Sequence, residues 1–266
     1  MPAQLHPVVL DDATADRVHA LNVDVLEQFA AVAARSHPEA IGRRIGTGYA
    51  LFAGEGSPIT QVYGFAYRSP GDIGELAAFY ASRCQSWEVS ITPFTDAETV
   101  AALHAAGYRP GAFEGELAMW IGDVPEPERR VEEVDGSDPA WQETTAQAWL
   151  DDASPPGQIA RPPFDPIIDV FAATSARKYL AFDDGVPAAS AIMWDRPQGV
   201  ALAGGATRKS ARGHGLQAAL LRRRLRDAGT GRFAFVGATP GAISYRNAMR
   251  VGFTPLYSTI AFRPSP

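Results

Sequence analysis

Arg212-Gly213-His214-Gly215 lies where an apolar run ends and a helical repeat begins. The preceding run, Gly199 to Ala206, reads as a strand. After the turn, Leu216, Leu220, Leu221 and Leu225 recur on one helical face. Two glycines let the backbone approach a ligand without an intervening Cβ. The free N–H groups and positive dipole end of the following helix then favour an anion, above all a phosphate. No Gly-Lys-Ser/Thr follows, so the nucleoside-triphosphate loop is excluded. The expected cradle is the backbone of Thr207, Arg212, Gly213, His214, Gly215, Leu216 and Gln217. The Arg212 guanidinium is suited to pair with phosphate. His214 is expected to offer its N–H rather than its ring. Gln217 is long enough either to meet a ligand or to face solvent. Arg222, Arg223, Arg224 and Arg226 follow, either as further phosphate partners or as a solvated face near the helix C-terminus.

Composition narrows the classes of partner. The chain has 266 residues, a length that suits two domains, and 46% hydrophobic with 20% charged residues indicates packed globular structure. A net charge of -6 argues against nucleic acid as the main partner. The lone cysteine, Cys84, excludes an intrachain disulfide and makes a thiolate metal site implausible. His19, His37 and His104 lack metal-ligand spacing, so no metal is expected. No stretch approaches the ~18 apolar residues that span a bilayer, and the N-terminus does not read as a signal peptide. A cytoplasmic protein with no membrane partner is expected.

The elements that must position the cradle read as follows. Pro7 to Asp12 is expected as a first strand, and Ala13 to Arg35 as a helix or helix pair. Gly42 to Ala53 and Ile59 to Tyr67 are two β-like runs joined by Gly54-Glu55-Gly56-Ser57-Pro58. Helices are expected over Gly74 to Arg83 and Asp96 to Ala106, with strands at Trp87 to Ile91 and Phe113 to Trp120. Beyond Val124-Pro125-Glu126-Pro127-Glu128, an extended linker, Arg129 to Val134 begins a new strand. A helix over Ala140 to Leu150, a loop over Asp151 to Pro166 and a helix over Ile167 to Thr174 follow. Asp183-Asp184-Gly185 then signals a hairpin leading to the cradle strand. The segment Trp87–Met119 repeats in Arg232–Pro264: Gly107-Tyr108-Arg109-Pro110 aligns without gaps on Gly252-Phe253-Thr254-Pro255. Strand, helix, Gly-aromatic turn and strand recur in the same order, which points to two copies of one fold. At that offset Arg212 falls on Tyr67 and Gly215 on Pro70, so the first copy carries no cradle.

Arg212-x-x-Gly215-x-Gln217 after a strand resembles the pyrophosphate signature of the GCN5-related N-acetyltransferases (GNAT), Arg/Gln-x-x-Gly-x-Gly/Ala, with Gln217 departing at the sixth position. Asn247 in Ser244-x-x-Asn247-x-x-x-x-Gly252-Phe253 is similar to the family's ending of the last helix. The resemblance implies an α/β (α+β) tandem GNAT fold, with a mixed central sheet flanked by helices in each of two domains. Residues 1–124 would form a degenerate GNAT-like domain, 125–128 a linker and 129–266 the acetyl-CoA-binding domain. It further implies acetyl-CoA or another acyl-CoA as co-substrate, Asn247 as a pantetheine contact, and direct attack of an amine on the thioester. The amine must lose a proton, the developing oxyanion needs donors, and the thiolate needs a proton or a stable charge. Where relatives often hold a proton-donating tyrosine this chain has Ala248, so Tyr245 and Tyr257 are the candidate acids. Asp195 is the nearest candidate base, set against a plain turn role in Asp195-Arg196-Pro197. Glu143, Asp151, Asp152, Asp165 and Asp169, with Trp141, Trp149 and Phe164, would wall the acceptor site and favour a small cationic amine. The alternative is a non-catalytic acyl-CoA-binding or regulatory module, and a third reading makes the first domain a surface that recruits a polypeptide acceptor.

Overall fold

A computed structural model describes residues 8–83, 87–152 and 165–264. Val8 to Asp11 pair with no strand, contrary to the expectation for Pro7 to Asp12. Asp11 instead caps the long helix α1 (Asp12–Ala33), accepting the Thr14 N–H at 2.8 Å. The cap satisfies an N–H of the first turn that would otherwise lack a partner. The expected single run Gly42 to Ala53 is a hairpin of β1 (Ile41–Ile45) and β2 (Gly48–Phe52). It turns at Gly46, whose φ of +56° carries no penalty without a side chain. β3 (Gln61–Tyr63), α2 (Ile73–Tyr80), β4 (Glu88–Ile91) and α3 (Ala97–Ala105) follow. β5 (Tyr108–Trp120) is longer than the expected Phe113 to Trp120 because β11 (Thr254–Pro264) pairs along it as far as Tyr108.

The rest of the chain forms β6 (Val131–Val134), α4 (Pro139–Asp152), α5 (Asp165–Ala173), β7 (Arg177–Asp183), β8 (Val186–Arg196) and β9 (Gly199–Thr207). Then come a 3-10 turn (Lys209–Ala211), α6 (Leu216–Ala228), β10 (Phe233–Ala238), α7 (Ile243–Val251) and β11 (Thr254–Pro264). Cys84 and the expected loop from 153 to 164 lie outside the described residues.

The eleven strands of the described residues form one sheet in the order β1-β2-β3-β4-β11-β5-β10-β9-β8-β7-β6. The repeat recurs here as β4-α3-β5 and β10-α7-β11, but the last strands are exchanged. β11 lies against β4, and β5 lies against β10. The two closing strands also pair with each other, so the sheet runs unbroken through the middle of the molecule.

Alternation of side chains divides the core. Leu117, Met119, Met193, Val200, Leu202 and Ala234 pack on the face covered by α6 and α7. Ala118, Ile192, Trp194, Ala201, Phe233 and Phe235 pack on the other face with α1, α4 and α5. A third cluster joins α2 and α3 to β1–β4. Helix α1 ties the halves together: Arg17 donates to the Gln198 carbonyl at 2.5 Å, and Asp24 pairs with Arg196 at 2.5 Å. Among the described residues, no helix is long and apolar enough to cross a membrane.

Candidate functional site

The cradle forms where β9 hands over to α6. Gly213 and Gly215 have φ of +86° and +83°, and a Cβ at either would meet no other atom within 4 Å. The backbone turn, not crowding, is what requires glycine there. The first intrahelical bond of α6 runs from the Ala219 N–H to the Gly215 carbonyl, and no side chain caps the helix. The amides of Leu216, Gln217 and Ala218 therefore have no partner within the helix and point out of its N-terminus. They open onto a cleft of about 760 Å³. Thr207, Arg212, Gly213, Gly215, Leu216 and Gln217 form one wall, and Asn247, Ser244 and Arg250 of α7 the other. A ring of backbone donors at a helix start fits a pyrophosphate.

His214 stands outside this lining. Its ring nitrogen Nδ1 lies 2.6 Å from Asp183 Oδ2, and its carbonyl accepts from Arg129. Its imidazole thus anchors the turn to β7, while Asn247 Oδ1 accepts from Arg250 at 2.9 Å. Of the four arginines on α6, none is a free phosphate ligand. Arg222 pairs with Glu128, Arg226 with Glu126 and the Val124 carbonyl, and Arg223 with Asp227 and the Val131 carbonyl. Arg222 and Arg226 fasten the segment between the halves to the helix. Arg224 is fully buried, neither solvated nor bound to an anion.

Arg224 explains a break in the sheet. β9 and β10 pair only at Val200, Ala201 and Leu202 against Ala234, Phe235 and Val236. Just beyond, Gly204 (φ +60°) and Gly205 make a bulge against β8, with the register shifting between Ser190 and Ile192. The bulge turns β9 away from β10. Arg224 Nη1 donates to the Ile192 and Ala203 carbonyls flanking it, at 2.8 and 3.2 Å, and Nε donates to Leu220. With no carboxylate against it, burial lowers its pKa to about 10.

The splayed strands leave a hollow of about 70 Å³, which shares Gln217 and Ser244 with the cleft. The Gln217 carboxamide lies over Gly205, where a Cβ would come within 2.5 Å of it. On the opposite face the hollow shares Leu202, Ala203, Gly204 and Gly237 with a second cavity of about 310 Å³. Three spaces thus follow one another from the α6 side of the sheet to the α1 side.

The second cavity is lined by both halves of the chain. Asn22, Gln61, Tyr63, Ser90, Glu114 and Glu116 come from the first half, and Trp194, Phe235, Gly237 and Thr259 from the second. Glu116 is only 3% exposed, and its Oε2 has no hydrogen-bond partner. Burial raises its pKa to about 8, the Glu114 charge adds to this, and the Asn22 side chain partly offsets it. The Trp194 indole N–H is buried without a partner as well, and the buried hydroxyls of Tyr63 and Tyr257 face each other. Burial, reinforced by the charge of Glu116, also holds both tyrosines un-ionised.

The expected catalytic residues are dispersed. Tyr257 stands opposite Glu116 in the β5–β11 register, so it lies on the cavity face rather than beside the cradle. Tyr245 lies over Gly115 and packs with the cluster on the α6 face. Asp195 pairs in the sheet with Val200, roughly 20 Å along β9 from Thr207, and forms an ion pair with Arg232 at 2.7 Å. A structural ion pair at the far end of the strand replaces the expected base. Of the residues expected to wall the acceptor site, several have other partners. Trp141 is buried core, Trp149 stacks edge-on with Phe171, and Asp151 accepts the Lys209 N–H at 2.6 Å. Asp169 is exposed, while Phe164 and the side chains of Asp152 and Asp165 lie outside the described residues. Sequence reasoning missed Glu116. The one available signal was a glutamate directly before the apolar run Leu117-Ala118-Met119-Trp120, in the half without a cradle. Among the described residues no group of His, Cys, Asp and Glu is arranged to hold a metal ion.

No family model matches the chain, and no curated protein matches it in sequence. Solved structures do. A GCN5-related N-acetyltransferase from Kribbella flavida is 18% identical, with 92% of this chain and 95% of that one covered and a TM-score of 0.61. A tandem GNAT protein from the clavulanic acid biosynthesis pathway is 13% identical, with 99% of each chain covered and a TM-score of 0.54. A GCN5-related N-acetyltransferase from Sphaerobacter thermophilus is 14% identical over 99% of this chain and 96% of that one, with a TM-score of 0.52. At these identities the likeness establishes the fold: a mixed sheet flanked by helices, as in tandem GNAT proteins.

Proposed function

From a fold shared with the GCN5-related N-acetyltransferases, we propose that this protein transfers an acetyl or related acyl group from an acyl-CoA to an amine. The observation that carries the reading is the arrangement at the β9–β10 split: a cleft at the start of α6 shares lining residues with a hollow, and the hollow with a polar cavity on the other face. Such an arrangement would let a long phosphorylated donor and a separate acceptor meet from opposite sides. Bound acyl-CoA supplies an acyl group already activated as a thioester. The amides of Leu216, Gln217 and Ala218 would hold the pyrophosphate, with Arg212 adding charge. Gln217 and Ser244, which line both cleft and hollow, would direct the chain that follows. The tandem structure from the clavulanic acid pathway is described as a form without AcCoA, which names that donor for a protein of the same fold. We further read residues 1–124 and 129–266 as two copies of one unit joined by 125–128, only the second copy bearing a cradle.

Titration calorimetry with CoA tests the cradle. Arg212→Glu and Gly215→Val, the latter placing a branched side chain at φ +83°, are each expected to weaken binding at least ~10-fold. Unchanged affinity in both would remove the cradle assignment. A panel of amines with acetyl-CoA, followed by release of free thiol, tests transfer. Tight CoA binding with no amine-dependent release would instead favour a non-catalytic binding module.

A further inference from the structure

We propose that the cavity between the halves is the acceptor site, that Glu116 is its proton acceptor, and that it takes a small primary amine without a carboxylate. This inference rests on the acyl-transfer reading for its chemistry, and on independent geometry for its location. β5 is the last strand of the half that lacks a cradle, yet strand exchange sets it beside β10, the strand that borders the split. Glu116 lies directly across from Gly237, whose missing side chain leaves the carboxylates open to the gap. A Cβ at Gly237 would come within 2.8 Å of Glu114 Oε1.

The unpartnered oxygen defines the ligand. A buried carboxylate oxygen without a donor calls for an ammonium or another N–H. Glu114, the second carboxylate of the lining, makes the cavity acidic and disfavours anionic acceptors. A cavity of about 310 Å³ suits a small molecule. The titratable groups facing Glu116 are Glu114 on its own strand, Tyr63 on β3 and Tyr257 on β11, and no lysine or arginine lines the cavity. Both tyrosines remain neutral over the working range, and Glu114 only raises the glutamate's proton affinity.

The step balances simply. Glu116 takes one proton from the ammonium and later returns it to solvent past Glu114. The nitrogen lone pair forms the C–N bond as the C–S bond breaks, and the electron pair leaves with sulfur. The second proton lost by nitrogen neutralises that sulfur. Net, one ammonium and one thioester give one amide, one thiol and one proton.

The test compares wild type with Glu116→Gln and Glu114→Gln, using ethanolamine, glucosamine and 1,3-diaminopropane, with glycine as the carboxylate-bearing control. Binding is read by ligand-observed NMR without CoA, and turnover by thiol release with acetyl-CoA between pH 6 and 9. The expected result is binding of at least one of the three amines and not of glycine, lost in Glu116→Gln and weakened in Glu114→Gln. Wild-type kcat/KM should rise to a plateau above about pH 8, and Glu116→Gln should lower turnover at least ~100-fold without that limb. CoA affinity should stay within about two-fold, which a merely unfolded variant would not show. Amine turnover that survives Glu116→Gln with its pH limb intact overturns the inference and leaves acyl transfer standing. Glu116-dependent amine binding without turnover supports the pocket and overturns acyl transfer. Neither binding nor turnover of any amine overturns both.

Discussion

Glu116 of β5 and Gly237 of β10 face each other in antiparallel register, at the point where β10 parts from β9. Side chains at paired positions share one face of a sheet, so the glycine leaves open the space toward which the glutamate points. The nearest occupant of that space is the Glu114 carboxylate.

Filling that space should separate the two ligands. Gly237 lies in β10 without a positive φ, so its backbone accepts a side chain. Gly237→Val is expected to push aside Glu114 and narrow the cavity from the α1 side. The amine KM should rise at least ~10-fold while the dissociation constant of CoA changes less than about three-fold. Steady-state kinetics and CoA calorimetry on the same preparation check this. Equal losses of both ligands would show that the cavity and the cleft are not separate sites.

Glu116 should make stability and activity respond to pH in opposite directions. Its folded pKa of about 8 lies above the ordinary 4.5, so between these values the folded protein holds a proton that the unfolded chain has released. Its stabilising contribution is complete below about pH 4.5 and is lost as pH rises through about 8. The loss is on the order of a few kcal/mol for a group so deeply buried. Glu116→Gln, which imitates the protonated acid, is expected to flatten this slope and raise the urea midpoint at pH 9 relative to wild type. Urea unfolding at pH 5, 7 and 9 measures it, and parallel slopes in the two proteins would contradict the buried-acid account.

Arg224 should prove a support of the bulge. Arg224→Met fills similar volume but orphans the Ile192 and Ala203 carbonyls. Each buried acceptor left unmet costs about 1–3 kcal/mol, so a loss of roughly 3 kcal/mol is expected in urea unfolding. Removing the guanidinium also relieves an unpaired buried charge, which offsets part of that loss. Wild-type stability in this variant would mean that the bulge holds its shape without the arginine.

The strand–turn–helix geometry before α6 was legible in the sequence because everything it needs is local. A strand end, two glycines with left-handed φ and a helix start lie within a few consecutive residues, and spacing alone determines their geometry. The repeat was legible for the same reason, since strand, helix, Gly-aromatic turn and strand are each short-range patterns. Arg224 left a partial trace: Gln217, Leu221, Arg224 and Ala228 fall on one helical line, three or four residues apart, and that line faces the sheet. Which arginine of the four would be buried still depended on the bulge in a strand that α6 packs against.

What only the tertiary structure decided was which strand stands beside which. Two copies of one pattern satisfy their hydrogen bonds equally well by closing their own sheets or by exchanging last strands, and sequence periodicity is identical in both cases. Exchange placed β5 next to β10 and β11 next to β4, and so brought Glu116 to the split while carrying Tyr257 to the cavity face. Asp195, Tyr245 and Trp141 were plausible by residue type and by nearness along the chain. Pairing over long sequence separations sent them to an ion pair, a packing contact and the core. A residue's type determines what chemistry it can do; its neighbours across the sheet determine whether it is placed to do it.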